Sequence, residues 1–228
     1  MGFVLSHSPN RAMPEKKSTK RALPLSVALF CMERDKMSEY EIFKKAIDDL
    51  LLKNFVIEIE DGQRVPFHFT VANIFHLLGL HYITDMPNIS GAKNKGSLVN
   101  LLRKDERLFQ QIKKSSQYEE VRARMESFSK ISEMLLTDKC KIIIKFDKSL
   151  VPETTIKSCY LLYKTEDRNT YHILGLASKV NGIFYPETYF VEQSKYYVNG
   201  QELLNCQINY EDFVYKRKPF SHEKAPSK

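Results

Sequence analysis

The feature that most constrains this chain is a change in hydrophobic period near Cys140. Before that point apolar residues recur three and four apart, as on one face of a helix; after it they alternate or run in short blocks between turn signals. In the first half, Ser38-x-x-Glu41 is a capping box ahead of Ile42, Phe43, Ala46, Ile47, Leu50 and Leu51, which predicts a helix ending near Asn54. Val56–Glu60 and Arg64–Phe69 each alternate around Asp61-Gly62, the pattern of a short hairpin. Thr70 can cap a second helix from Val71 to about Leu78, with Gly79 as its stop. A turn-rich loop, Pro87–Gly96, precedes helical stretches at Ser97–Lys104 and, after a break, up to Lys114. Ser116-x-x-Glu119 then opens what should be the longest helix, to about Leu136, with Val121, Met125, Phe128, Ile131 or Ser132, and Leu135 as its apolar stripe.

In the second half Lys141–Phe146, Ser158–Lys164, Thr170–Ala177, Gly182–Val191 and Leu203–Tyr210 read as strands, joined by turns at Thr165–Asn169, Lys179–Gly182 and Asn199-Gly200. With no helices between them, these strands cannot make parallel crossovers, so the class is α+β with an antiparallel meander. The organisation expected is a basic, flexible extension over 1–36, a single domain over 37–213 and a basic tail over 214–228.

Charge supports that division. The net charge is +7, but residues 1–36 hold seven Lys/Arg against three acids and residues 214–228 hold five against one, leaving the body near neutrality. Such tails are either simply solvated or add attraction for a nucleic acid. The longest uncharged apolar stretch, Leu23–Met32, is too short to span a bilayer, and no membrane association is expected. Cys31, Cys140, Cys159 and Cys206 form no CxxC or Cys/His cluster, which excludes a zinc framework. The last three lie in apolar runs and read as reduced core residues, in keeping with a cytoplasmic protein.

P-loop, dinucleotide, HExxH, GxSxG and kinase signatures are all missing from the sequence. On a helical wheel Val71, Ile74, Phe75 and Leu78 make a core face, and His76 falls about 140° away from it. His76 is therefore either a hydrogen-bonded structural residue or an acid/base in a half-covered cleft. His81 lies five residues on, across Gly79, so the two do not share a helix face. Arg124 borders the buried stripe, where it can ion-pair or reach an anion, and Arg122 lies beside it. Lys164 ends a strand, Thr188 stands between aromatics, and Tyr196 and Tyr197 either pack on a sheet or stack on bases.

Asn73-Ile74-Phe75-His76-Leu77-Leu78-Gly79-Leu80-His81, then Arg124-Met125-x-x-Phe128, then Tyr185-Pro186-x-Thr188-x-Phe190, resembles the fourth phage-type family of the barnase–EndoU–colicin–RelE-like (BECR) nucleases. The likeness spans roughly residues 40–215. It implies N-terminal helices packed on a twisted antiparallel sheet, and an endoribonuclease that cuts RNA by 2′-hydroxyl attack on phosphate without a metal or other cofactor. It also implies RNA, such as tRNA or mRNA, as substrate, a toxin or phage-effector setting, and an antitoxin or immunity protein as a partner. His76 and His81 become acid/base candidates, Arg124 and Lys164 phosphate stabilisers, Thr188 a positioning hydroxyl, and Arg122, Tyr196 and Tyr197 RNA contacts. The competing readings are a non-catalytic phage or mobile-element protein that blocks a host protein, and nucleotide base or sugar modification. The enzyme needs His76, Arg124, Lys164 and Thr188 in one cleft, within about 10 Å of a common point, whereas the first alternative predicts that they scatter over different faces.

Overall fold

The computed structural model describes residues 37–90, 95–137, 142–166, 169–179 and 182–212, which fall in one compact unit, Met37–Lys228. The basic extension, the basic tail, Cys31 and Cys140 lie outside the described residues.

Helix α1, Glu39–Leu51, begins where the capping box predicts: the Ser38 hydroxyl accepts from the Glu41 backbone while the Glu41 carboxylate accepts from Ser38 N–H. Its stripe Phe43, Ala46, Ile47 and Leu50 is buried. Strands β1, Lys53–Ile59, and β2, Arg64–His68, form the expected hairpin about Gly62. Thr70 caps α2, Val71–Leu77, in a second capping box closed by Asn73. The short α3, Pro87–Ser90, is followed by α4, Lys95–Leu102, and α5, Glu106–Lys113.

The long helix expected from Ser116 is instead three pieces: α6, Glu119–Glu126, α7, Ser129–Ser132, and a π-helical turn at Glu133–Thr137. Two causes are visible. The Ser116 hydroxyl and N–H are spent on the Asp85 carboxylate rather than on a cap. At the break, the Ser127 hydroxyl donates to the Ala123 carbonyl one turn back, a bond that bends helices. The apolar stripe survives the break, with Val121, Met125, Phe128, Ile131 and Leu135 all buried. Phe128 sits among Phe43 and Tyr189, 5.9 and 6.5 Å between ring centroids.

Five strands complete the sheet: β3, Ile142–Lys145; β4, Tyr160–Thr165; β5, Tyr171–Ser178; β6, Phe184–Glu192; and β7, Glu202–Asp212. They do not stand as a separate meander. The order β1-β2-β6-β5-β4-β3-β7 closes on itself through β1–β7, making a mixed-helix, α+β protein with a barrel-like ring of seven strands. The hairpin of the helical half is thus part of the sheet. All pairs are antiparallel except β2–β6, a parallel seam with the single register pair Phe67↔Phe184. Pro66 in β2 carries no N–H, so this strand brings one ladder donor fewer.

Strand β5 is buried at every position from Tyr171 to Ala177, because both faces are covered. Leu174 and Leu176 enter the main core with the helices, while Tyr171 and Ile173 join Ile144 and Leu161 in a second cluster on the other face. The cysteine expectation needs correcting. Cys159 is exposed, on the outward phase beside buried Tyr160, whereas Cys206 is half-buried and shares the inward face of β7 with Leu204 and Ile208, packed against the main core. No helix among the described residues is long and apolar enough to cross a membrane.

Candidate active site

Helix α2 ends at Leu77, and the chain then passes through Gly79 at φ +72° into a 3-10 turn, Leu80–Tyr82. Leu77, Leu78 and Leu80 are fully buried beneath, whereas His76, His81 and Tyr82 face outward. The left-handed step has a consequence that spacing along a continuous helix hides. It folds the turn back, so that the His76 and His81 rings lie 5.5 Å apart between centroids.

Further groups arrive from neighbouring elements. Tyr82 lies against His81, with centroids 4.1 Å apart and ring planes tilted by 39°. The Arg124 guanidinium, from α6, sits over the Tyr82 ring at 5.4 Å. Lys95, the first residue of α4, places Nζ 5.3 Å from the Phe75 ring, which meets His76 edge-on. The helices that bring them are packed together: α2 against α4 and β6, and α6 against β6 and the 3-10 turn. Two imidazoles, a guanidinium and an ammonium therefore share one partly open patch.

Their fields act on one another. Desolvation, then the Lys95 charge, holds the His76 imidazole below its usual pKa. His81 is lowered by desolvation, then by His76, Arg124 and Lys95. Both imidazoles are thus biased toward the neutral form, and an anion arriving here would relieve the repulsion.

Gly79 makes the approach of α6 possible. A Cβ at this position would lie 2.8 Å from Arg124 Nη1 and 3.2 Å from Val121 Cγ1. Gly79→Ala should cost about 1–2 kcal/mol through the left-handed backbone alone. It should also dislodge Arg124, read as a lower denaturation midpoint.

The remaining sequence candidates engage other partners. Lys164 pairs with the buried Glu133 at 3.2 Å, and Lys130 bridges Glu133 and Glu166. Glu166 in turn meets His172 Nε2 at 3.0 Å, and His172 Nδ1 meets Tyr189 Oη at 3.0 Å. Tyr189 Oη donates to the Ser127 carbonyl, joining this network to the break between α6 and α7. His172 and Tyr189 are almost wholly buried, so the network ties β5 and β6 to the helices. Thr188 faces the other way from Tyr189. Its Cγ2 would stand 2.7 Å from a Cβ on Gly175, near Ser158.

Arg122 ion-pairs with Glu119 and Glu126 along α6. Tyr197 packs on Phe190 and Phe146, and Tyr196, exposed, meets Tyr197 edge-on. Among the described residues, no group of three or more His, Cys, Asp or Glu is placed to hold a metal ion.

Lys95 and Tyr82 were missed in the sequence. Lys95 fell inside a stretch that reads as loop, and only the packing of α4 on α2 brings it to the site. Tyr82 had one available signal, an aromatic directly after a histidine at a glycine-terminated helix end.

No curated protein and no solved structure matches the chain. A family model does match, over residues 40–227, and it carries all three segments on which the resemblance was read. The chain belongs to the family of phage-Barnase-EndoU-ColicinE5/D-RelE like nuclease4 proteins, PBECR4.

Proposed function

We propose that this member of a nuclease family is an endoribonuclease that needs no metal, and that His76 and His81 are its acid–base pair. The observation that carries the reading is the 5.5 Å imidazole pair on an open surface, flanked by Arg124 and Lys95. One neutral imidazole takes the proton of a ribose 2′-hydroxyl. The 2′-oxygen attacks the adjacent phosphorus, and the guanidinium and ammonium balance the extra negative charge on the phosphoryl oxygens. The second, protonated imidazole gives its proton to the leaving 5′-oxygen. The products are a 2′,3′-cyclic phosphate and a 5′-hydroxyl.

The scheme gives no step to Lys164 or Thr188, whose polar and packing partners are Glu133 and Ser158/Gly175 respectively. The helices of the first half serve as the layer that holds the pair over a twisted sheet. A phage-linked effector acting on cytoplasmic RNA, tRNA or mRNA, with an antitoxin or immunity protein to restrain it, fits the phage origin in the family's name.

The scheme needs one imidazole neutral and the other protonated. Because both pKa values lie below the ordinary 6.5, the protonated member is lost as pH rises past those lowered values. The optimum of kcat/KM, which reports the free enzyme, should therefore fall below pH 6.5. Raising the ionic strength screens the Lys95 and Arg124 charges and should move the optimum upward.

The decisive trial is incubation of total RNA with the protein in EDTA, wild type beside His76→Ala. Cleavage by the wild type that disappears in the variant is expected. Intact RNA across a broad substrate panel would contradict the proposal and favour a protein that binds rather than cuts.

A further inference from the structure

The segment holding His81 and Tyr82 is pinned on both sides. Tyr82 N–H donates to the Gly79 carbonyl at 2.9 Å, and Ile83 is fully buried. Just beyond, Thr84 and Asp85 N–H groups both donate to Gln117 Oε1. Asp85 accepts from Ser115 Oγ and from Ser116 N–H and Oγ. These bonds fasten the segment to the turn that leads into α6, the helix carrying Arg124. Yet Tyr82 itself is 45% exposed, so its ring is held in place without being part of the core.

That ring contacts two proposed reacting groups at once: the His81 imidazole at 4.1 Å and the Arg124 guanidinium carbon at 5.4 Å. Arg124 Nη1 also borders the bare Cα of Gly79. A long arginine side chain has many rotamers in water, and orienting it before substrate arrives removes an entropic cost from the reaction. An aromatic face does this for a guanidinium through cation–π attraction, which favours the planar group lying over the ring.

We infer that Tyr82 is a positioning residue for cleavage: its aromatic face sets the Arg124 guanidinium and the His81 imidazole in register over the Gly79 step. This rests on the acid–base reading above. The role belongs to the ring and not to the hydroxyl, and Tyr82 acts through Arg124 and His81 rather than on the phosphate itself.

The test compares Tyr82→Phe and Tyr82→Leu in wild-type and Arg124→Ala backgrounds, measuring kcat and KM for RNA cleavage and the melting temperature of each protein. Tyr82→Phe should keep activity within about twofold, since the face remains. Tyr82→Leu should lower kcat about tenfold with KM little changed, the signature of a group that acts in the transition state. In the Arg124→Ala background the same change should cost less than about threefold, because coupled residues are not additive.

If Leu at position 82 lowers the melting temperature, Tyr82→Met, flexible and without a π-face, makes the same comparison. Equal losses in both backgrounds, full activity of Tyr82→Leu, or a Phe variant as damaged as the Leu variant would overturn the inference while leaving the nuclease reading intact. A wild-type protein that cuts no RNA would remove the acid–base reading itself, and the positioning role with it.

Discussion

His76→Ala is expected to slow RNA cleavage by about 10²–10⁴-fold, the range for loss of a general acid or base. The fold should survive: His76 is exposed at the end of α2, while the residues that anchor that turn, Leu77, Leu78 and Leu80, are fully buried. Stability should therefore change by no more than about 0.5 kcal/mol. His81→Ala should give a loss of similar size. The double variant should be little worse than either single, because one imidazole without its partner leaves the proton transfers incomplete. Single-turnover cleavage of a fixed RNA, with denaturant unfolding of the same preparations, measures both halves of this expectation.

Arg124→Ala should lower kcat by about 10²–10³-fold, the usual consequence of removing a charged donor from a developing oxyanion. Arg124→Lys should recover only part of that. Lysine restores a point charge but not the planar fork, and its ammonium lacks the planar surface of the guanidinium that sits over Tyr82. Measuring kcat and KM for the three proteins separates this from a general weakening of RNA binding, which would raise KM alone. Arg122→Ala is the matching control. Its guanidinium is engaged with Glu119 and Glu126 on the outer side of α6, and the loss should be small.

Local chemistry in the sequence located most elements. Ser38 announced a helix start by a capping box and Thr70 another by a capping hydroxyl, and Asp61-Gly62 announced the hairpin. What local pattern could not carry was long-range pairing. Nothing within Lys53–Ile59 says that its partner is Glu202–Asp212, some 150 residues later, yet that pairing turns a meander into a barrel-like ring. Competition for hydroxyls was equally hidden. Ser116 looks like a cap in sequence and becomes a ligand of Asp85 in space, and Ser127 breaks a helix whose apolar stripe runs through without interruption.

The candidate site was legible for the same reason in part. The helical wheel put His76 on the outside, where it is, and His81 and Arg124 were candidates only through the resemblance. The proximity of the two imidazoles was not readable from a five-residue spacing, because it depends on the positive φ of Gly79. Lys164 has a pairing that was equally hidden. A lysine at a strand end looks available for phosphate, but Glu133, delivered by a π-helical turn that periodicity does not reveal, occupies it.

The chemistry left on the cut ends tests the central claim most directly. Fragments made by the wild-type protein in EDTA should carry 2′,3′-cyclic phosphates and 5′-hydroxyls, readable by end-specific ligation and mass spectrometry. Fragments ending in 3′-hydroxyl with 5′-phosphate would mean that water, not the ribose, attacks phosphorus, and would contradict an imidazole pair working on the 2′-hydroxyl.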